Sequence, residues 1–260
     1  MTAKVVAEAL APLPEIAPGD DLAAAIAGAH EGAAFAPGSV LVISHKVVSK
    51  AEGRIADLGG VAVSAEAEAL CAQLGRDDPR LVAVILGETR EVVRAEQGVL
   101  ICRTRHGFVC ANAGVDRSNA GGEELAVLLP EDPDRSARAL RAALPGRPAV
   151  VIADSFGRAW RNGECDVAIG VAGLTALDDR RGRTDRGGRE LQVSSIAIAD
   201  QAAAAADLAR GDKASGRPAV LITGLDAYVT DDDGPGAAAE LARNAGLDLF
   251  GPTPQLNGGK

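Results

Sequence analysis

The sequence predicts an α+β fold, because its strands and helices mix without the regular spacing of a doubly wound parallel sheet. Short runs of β-branched residues predict buried strands at 39–44, 149–153 and 219–223. Ala-rich or capped stretches predict helices at 22–29, 136–144 and 195–210. Only 2% of the residues are aromatic, so we expect Ala, Val, Leu and Ile to fill the core.

The remaining elements follow from local signals. We expect a strand or short helix over residues 5–13, because Pro12, Pro14 and Pro18 end that apolar stretch. Asp20 and Asp21 cap the first helix. Further elements are a helix at 63–74, a strand at 81–86, an antiparallel set at 92–93, 99–102 and 108–111, and a strand at 167–173. We expect one unit over residues 1–260, with two intertwined lobes and a loosely ordered tail at 251–260.

Charge and composition exclude several classes of function. The net charge of −9 argues against a general nucleic-acid-binding protein, which needs a basic face. No apolar run approaches the ~20 residues of a membrane span, and the start of the chain is not typical of a signal peptide. The four cysteines show no CxxC spacing. We therefore expect reduced thiols and a soluble, cytoplasmic protein.

Common nucleotide and metal motifs are missing. The sequence has no GxxxxGK[ST] loop, no GxGxxG after a first strand, no kinase motif set and no HExxH. A fold with a P-loop or Rossmann core is therefore not expected, and any nucleotide must be held in another way.

Two apolar segments end in polar residues of the same kind. In HGFVCANAGVDRSN (106–119), small residues precede Asp116, Arg117, Ser118 and Asn119. In AVVIADSFGR (149–158), a strand ends at Asp154 and Ser155. Hard oxygen ligands of this kind suit Mg²⁺ or a similar ion. The pattern predicts a divalent metal site that holds phosphates, although a single Asp at a strand end is more often a turn or cap.

Several segments together resemble the coenzyme F420-0:L-glutamate ligases. They are LPEI (13–16) with GDD (19–21), VISHKVVSKAEGR (42–54), residues 106–119, ADSFGR (153–158), DVAIG (166–170), DRGGR (185–189) and ADQA (199–202). They run in order over nearly the whole length. Some relatives carry a second, flavin-binding domain, and this chain is more similar to the single-function form.

The resemblance implies a GTP-dependent enzyme of family-specific fold that adds L-glutamate to F420-0 and then a γ-linked glutamate, through an acyl phosphate. It implies a homodimer, two Mg²⁺ or Mn²⁺ ions, and K⁺ as a further candidate ion. The implied small-molecule partners are F420-0, L-glutamate and GTP, with no nucleic acid and no membrane.

The resemblance also assigns residues to the site. Nucleotide contacts are implied for Leu13, Pro14, Glu15, Ile16, His45, Lys46, Lys50, Asn119 and Gln201. Metal contacts are implied for Asp116, Asp154, Ser155 and Gln201. Catalytic roles are expected for Asp116, Asp154, Lys50 and Arg158. At His45 we expect Gln or another polar residue in many relatives, and hence a contact through the backbone.

The chemistry explains these residue types. Phosphoryl transfer needs neutralised phosphate charge more than a covalent catalyst. Lys46 and Lys50 supply point charges, and Arg158 or Arg117 offers a bidentate grip on a phosphate or carboxylate. The Arg-rich loop 180–189, with Asp185 and Arg189 in it, is either a solvated segment or a recognition site for anions.

Two alternatives to this function stay open. The first is a metal-dependent amide ligase that acts on another phosphorylated acid. The second is a catalytically inactive nucleotide- or metabolite-binding protein, which the intact aspartates and lysines argue against.

Overall fold

A computed structural model describes residues 4–212, 214–244 and 247–248, so the predicted tail at 251–260 lies outside the described residues. The expected α+β class is confirmed. The strands are β1 Val6–Ala9, β2 Val40–Ser44, β3 Ile55–Asp57, β4 Thr89–Glu96, β5 Val99–Thr104, β6 Val109–Ala111, β7 Leu125–Val127, β8 Ala149–Arg158, β9 Arg161–Ala172, β10 Leu177–Asp179, β11 Ser195–Ala197 and β12 Ala219–Thr223. The α-helices are α1 Leu22–Ala29, α2 His45–Ala51, α3 Ala65–Leu74, α4 Pro79–Glu88, α5 Pro133–Ala143, α6 Ile198–Arg210 and α7 Ala237–Glu240.

A mixed five-stranded sheet with strand order β1-β12-β2-β8-β9 forms the centre of the described fold. Its one parallel pair is β2 with β8, and the other neighbours are antiparallel. Parallel strands end at the same edge of a sheet. Ser44, the last residue of β2, therefore lies opposite Ala153 of β8, directly before Asp154 and Ser155.

Both faces of this sheet are buried. One face packs against α1 and α5, through residues that include Ile26 and Leu140. The other face packs against α6, whose Ala199, Ala202 and Ala203 are almost fully buried. Small alanines let the helix approach the strands closely, which suits a chain with so few aromatic side chains.

A second apolar cluster lies around the three-stranded sheet β4-β5-β6 and the helices α3 and α4. β3 pairs with β7 and β10 pairs with β11, both antiparallel. The antiparallel set predicted at 92–111 is confirmed as β4, β5 and β6.

The strand predicted at 81–86 is wrong, because these residues belong to helix α4. The Asp78 side chain caps its first turn, and Pro79 occupies the first position, where a missing N–H costs nothing. Val82 and Ile85 lie one turn apart and are fully buried, which is a helical spacing. Helix α2 was not predicted, and the helix predicted at 195–210 begins at Ile198, after strand β11.

None of the helices among the described residues is long and apolar enough to cross a membrane.

Candidate functional site

A cavity of about 370 Å³ opens at the sheet edge where β2 and β8 end. The start of α2 and the end of β8 form one side. The other walls come from β9, the end of α6 and three segments without regular structure, namely residues 13–16, the loop with Asp116 and Asn119, and the described part of the loop between α6 and β12.

The two lysines of helix α2 contact two separate loop segments. Lys46 Nζ lies 2.6 Å from Asp116 Oδ2. One turn later, Lys50 Nζ lies 2.5 Å from Glu15 Oε1. Lys46 and Lys50 are four residues apart and therefore share one face of the helix, which is the face that lines the cavity.

His45 lies behind the cavity wall, with only 1% of its side chain exposed. Its Nε2 is 3.2 Å from Asp154 Oδ1, and its Nδ1 is 3.4 Å from Ser49 Oγ. Nε2 of His45 has no hydrogen-bond partner among the described residues, so its contact with Asp154 is a close approach without a hydrogen bond. His45 therefore supports Asp154 from behind and does not line the cavity.

Asp116 is fixed by its own loop. Its backbone pairs with Val127, and its carboxylate accepts hydrogen bonds from the backbone N–H and the hydroxyl of Ser118. Burial raises the pKa of Asp116, but the hydrogen bonds from Lys46 and Ser118 outweigh burial and leave the pKa below its usual value. Asp116 is therefore a carboxylate at neutral pH.

Asp154 keeps one oxygen for the cavity. Its Oδ1 accepts the backbone N–H of Ser155 at 2.8 Å, whereas its Oδ2 has no hydrogen bond among the described residues. Burial raises the pKa of the Cys110 thiol most, and the negative charge of Asp154 raises it further. β6 contacts β8, which brings Cys110 close enough to Asp154 to respond to its charge.

The segment 13–16 covers the cavity beside α2. The backbone N–H of Leu13 donates to Gly216 O at 2.9 Å, which ties this segment to the loop after α6. Ile16 is buried in the core, while 77% of the Glu15 side chain is exposed. An apolar anchor therefore holds the segment, while the exposed side chain of Glu15 pairs with Lys50.

Most of the predicted site residues line this one cavity: Leu13, Pro14, Glu15, Ile16, Lys46, Lys50, Asp116, Asn119, Asp154 and Ser155. Three others do not. His45 lies behind the wall, Arg158 is exposed near the tip of the β8–β9 hairpin, and Gln201 is exposed on α6. The neighbour of Gln201, Asp200, faces inwards and accepts the backbone N–H of Ala168 at 3.0 Å.

Several lining residues were not predicted. They are Glu164, Asp166, Asp207, Arg210 and the described part of the segment 211–218. Gly211, Gly216 and Pro218 are turn signals between a helix and a strand, and they could have marked this loop. Nothing local indicates that the loop faces the end of β2.

The Arg-rich loop 180–189 joins β10 to β11 and does not line the cavity. Arg180 and Arg183 both pair with Asp178, and Arg181 pairs with Asp179. These neighbouring carboxylates already neutralise much of the positive charge that an anion would need.

The described lining carries seven acidic and four basic side chains. A cavity with this excess of negative charge repels a triphosphate unless cations bind together with the triphosphate. Among the described residues, no three His, Cys, Asp or Glu side chains form a cluster that could hold a metal ion alone. Mg²⁺ usually takes one or two carboxylates and completes its coordination with waters and substrate phosphates. Oδ2 of Asp154 and the hydroxyl of Ser155 fit that donor set.

The comparisons with known proteins show the family of the chain. The model of the family F420-0:Gamma-glutamyl ligase matches residues 11–224, a range that includes every predicted site residue. The chain belongs to this family. It is 44% identical to the coenzyme F420:L-glutamate ligase of Methanopyrus kandleri over 240 residues, covering 91% of this chain and 93% of that protein. The enzymes of the same name from Methanothermobacter thermautotrophicus and Natronomonas pharaonis are 42% and 45% identical, covering 92% and 81% of this chain and 95% and 82% of theirs. The family resemblance expected from the ordered motifs is therefore confirmed.

Proposed function

We propose that this protein joins L-glutamate to coenzyme F420-0 and then adds a γ-linked glutamate, with GTP as the source of energy. One observation carries the proposal. In a chain of the F420-0:gamma-glutamyl ligase family, the segment 13–16, both lysines of α2 and both strand-end aspartates line a single cavity.

We infer that one or two Mg²⁺ or Mn²⁺ ions bind in this cavity with the nucleotide, and that K⁺ is a further candidate ion. The acidic lining supports this inference, because it needs cations before a triphosphate can enter. Asp154 and Ser155 would hold one ion, and Asp116 would approach it from the opposite loop. The bound metal would neutralise charge on the transferred phosphoryl group.

The reaction has two balanced steps. In the first, a carboxylate oxygen of F420-0 attacks the γ-phosphorus of GTP, and GDP leaves. In the second, the amine of glutamate attacks the acyl carbon, an amide bond forms, and phosphate and a proton leave. Lys46 and Lys50 would hold the phosphates as point charges, so that the chain supplies position and charge rather than a nucleophile.

Two other functions are weaker. A metal-dependent amide ligase for another phosphorylated acid would use the same cavity and would differ only in its acceptor. A catalytically inactive nucleotide- or metabolite-binding protein would not need the unshared carboxylate oxygen of Asp154 beside Ser155.

Mass spectrometry of F420-0 incubated with the protein, L-glutamate, Mg²⁺ or Mn²⁺, and either GTP or ATP separates these candidates. We expect products that are heavier by one and then two glutamates, with GDP and phosphate released in equal amounts. Nucleotide hydrolysis that is independent of F420-0 would favour a different acceptor. Nucleotide binding without hydrolysis would favour the inactive protein.

Assembly and location stay predictions. We propose a cytoplasmic homodimer, on the strength of the family membership. Analytical ultracentrifugation of the full chain tests the dimer.

A further inference from the structure

Ser155 and Asp166 lie directly opposite each other on β8 and β9. This register depends on a bulge, because Ile152 pairs with Gly170 while the next residue, Ala153, pairs with Ala168. One residue of β9 is thus left over, as is usual at a β-bulge.

The hydrogen bond between these side chains fixes the direction of a proton. Ser155 Oγ donates to Asp166 Oδ1 at 2.6 Å. A serine hydroxyl has one proton and two lone pairs, so this bond uses its only donor. Both lone pairs of Ser155 remain for a group in the cavity, which Asp154 also lines.

Asp166 itself is held in place by Arg210 at the end of α6. Arg210 Nη1 lies 2.8 Å from Asp166 Oδ2, and the exposed fractions of the two side chains are 13% and 1%. Each oxygen of Asp166 is therefore engaged, one by a hydroxyl and one by a guanidinium. These two contacts hold the buried carboxylate of Asp166 in one orientation, with Oδ1 toward Ser155 and Oδ2 toward Arg210.

We propose that Asp166 is a positioning residue that makes Ser155 an electron-pair donor toward a divalent cation, and that Arg210 keeps Asp166 in this orientation. The inference rests on the proposed function, in which the cavity holds such a cation with the nucleotide. It concerns residues to which the family motifs gave no role.

The substitution Asp166→Asn gives the sharpest test, because Arg210 dictates how the amide turns. Arg210 donates to one oxygen position, so the asparagine carbonyl faces Arg210 and its NH₂ group faces Ser155. Ser155 must then accept that hydrogen bond and direct its own proton into the cavity. The substitution thus reverses the direction of the Ser155 O–H bond, while the side-chain volume at position 166 hardly changes.

The readout is Mn²⁺ binding to the full chain, with and without GTP, measured from the electron paramagnetic resonance of free Mn²⁺. We expect Asp166→Asn to raise the Kd for Mn²⁺ about tenfold or more, which is typical when a side chain behind a metal ligand is changed. In a Ser155→Ala background, the same substitution should change the Kd less than about twofold. Asp178→Asn is the matched control, because Asp178 is also a buried aspartate paired with arginines but lies outside the cavity. It should leave Mn²⁺ binding unchanged.

Equal losses in the wild-type and Ser155→Ala backgrounds would overturn the inference, because Asp166 would then act independently of the hydroxyl. A Kd within twofold of wild type for Asp166→Asn would also overturn it. If Asp166→Asn fails to fold by circular dichroism, Arg210→Gln replaces it, since it frees Asp166 but keeps the bond to Ser155. We then expect a smaller loss of Mn²⁺ affinity that again disappears in the Ser155→Ala background, and the same loss in both backgrounds would contradict the role.

Product analysis keeps this test separate from the proposed function. If the wild type produces glutamylated F420-0 but the effects of Asp166→Asn and Ser155→Ala on the Kd for Mn²⁺ are additive, only the positioning role is overturned. If the effects of the two substitutions on the Kd for Mn²⁺ are non-additive but no glutamylated F420-0 forms, the positioning role is supported and the proposed acceptor is contradicted.

Discussion

Replacing Lys50 with alanine is expected to weaken GTP binding far more than glutamate binding. Only 8% of this side chain is exposed, so its charge is poorly screened by solvent. A hydrogen bond to a charged group contributes about 1.5–3 kcal/mol. In the unliganded protein, Lys50 is already paired with Glu15, and this contact must be exchanged for the phosphate.

The size of that exchange follows from the exposure of Glu15. Its side chain is 77% exposed, and a pair with an exposed partner is worth at most about 1 kcal/mol. Subtracting about 1 kcal/mol for the Glu15 pair leaves a net loss of about 0.5–2 kcal/mol for Lys50→Ala, which is about 2- to 30-fold in Kd. Glu15→Gln removes the competing carboxylate, so it should tighten GTP binding by up to about fivefold.

Isothermal titration with Mg²⁺-GTP, and separately with glutamate, measures both effects. Lys4→Ala is the control, because Lys4 is an exposed lysine that does not line the cavity. A Kd for GTP within twofold of wild type in Lys50→Ala, or equal losses for GTP and glutamate, would refute this role of Lys50.

Three further predictions concern activity and stability. Asp154→Asn should lower the ligation rate at least 100-fold while the melting temperature stays within a few degrees, and near-normal turnover would place the metal site elsewhere. Asp134→Ala should lower the free energy of unfolding in urea by about 2–4 kcal/mol, because buried Asp134 accepts the backbone N–H groups of Val171 and Ala237 at 2.9 and 2.7 Å; a loss below 1 kcal/mol would contradict this. Burial raises the pKa of Asp200 above its usual 3.8, so the folded state binds more protons and stability falls as the pH rises through that window. Asp200→Asn should therefore be more stable than wild type at pH 7 but not below pH 3.8, and an equal difference at both pH values would argue against this cause.

The strand-end part of the site could be predicted from the sequence, because its signals are local. Asp116 and Asp154 each follow an apolar run with small residues around it, and both line the cavity. The opposite case is Asp166, which lies within β9. Its pairing with Ser155 depends on the register across a bulge, and no pattern within either strand reports that register.

Two misread helices show the same limit. The run LVAVIL in α4 looks like a strand by composition, and only the Asp78 cap and the spacing of Val82 and Ile85 favour a helix. Helix α2 was missed because it follows Ser44 without any intervening turn, so no breaker marks its start. The sequence of 211–218 is typical of an ordinary turn, and only the tertiary fold places its described residues on the cavity.

The direct passage from β2 into α2 has a consequence for protein engineering. Lys46 and Lys50 lie on a helix that directly continues a central strand, so their position over the cavity can change only if α2 or the middle of the sheet also moves. The segment 13–16 and the described part of 211–218 lack regular structure, and among the described residues one backbone hydrogen bond, from Leu13 to Gly216, joins them. Attempts to alter base preference or acceptor size should therefore randomise these two loops and keep α2 as an invariant platform.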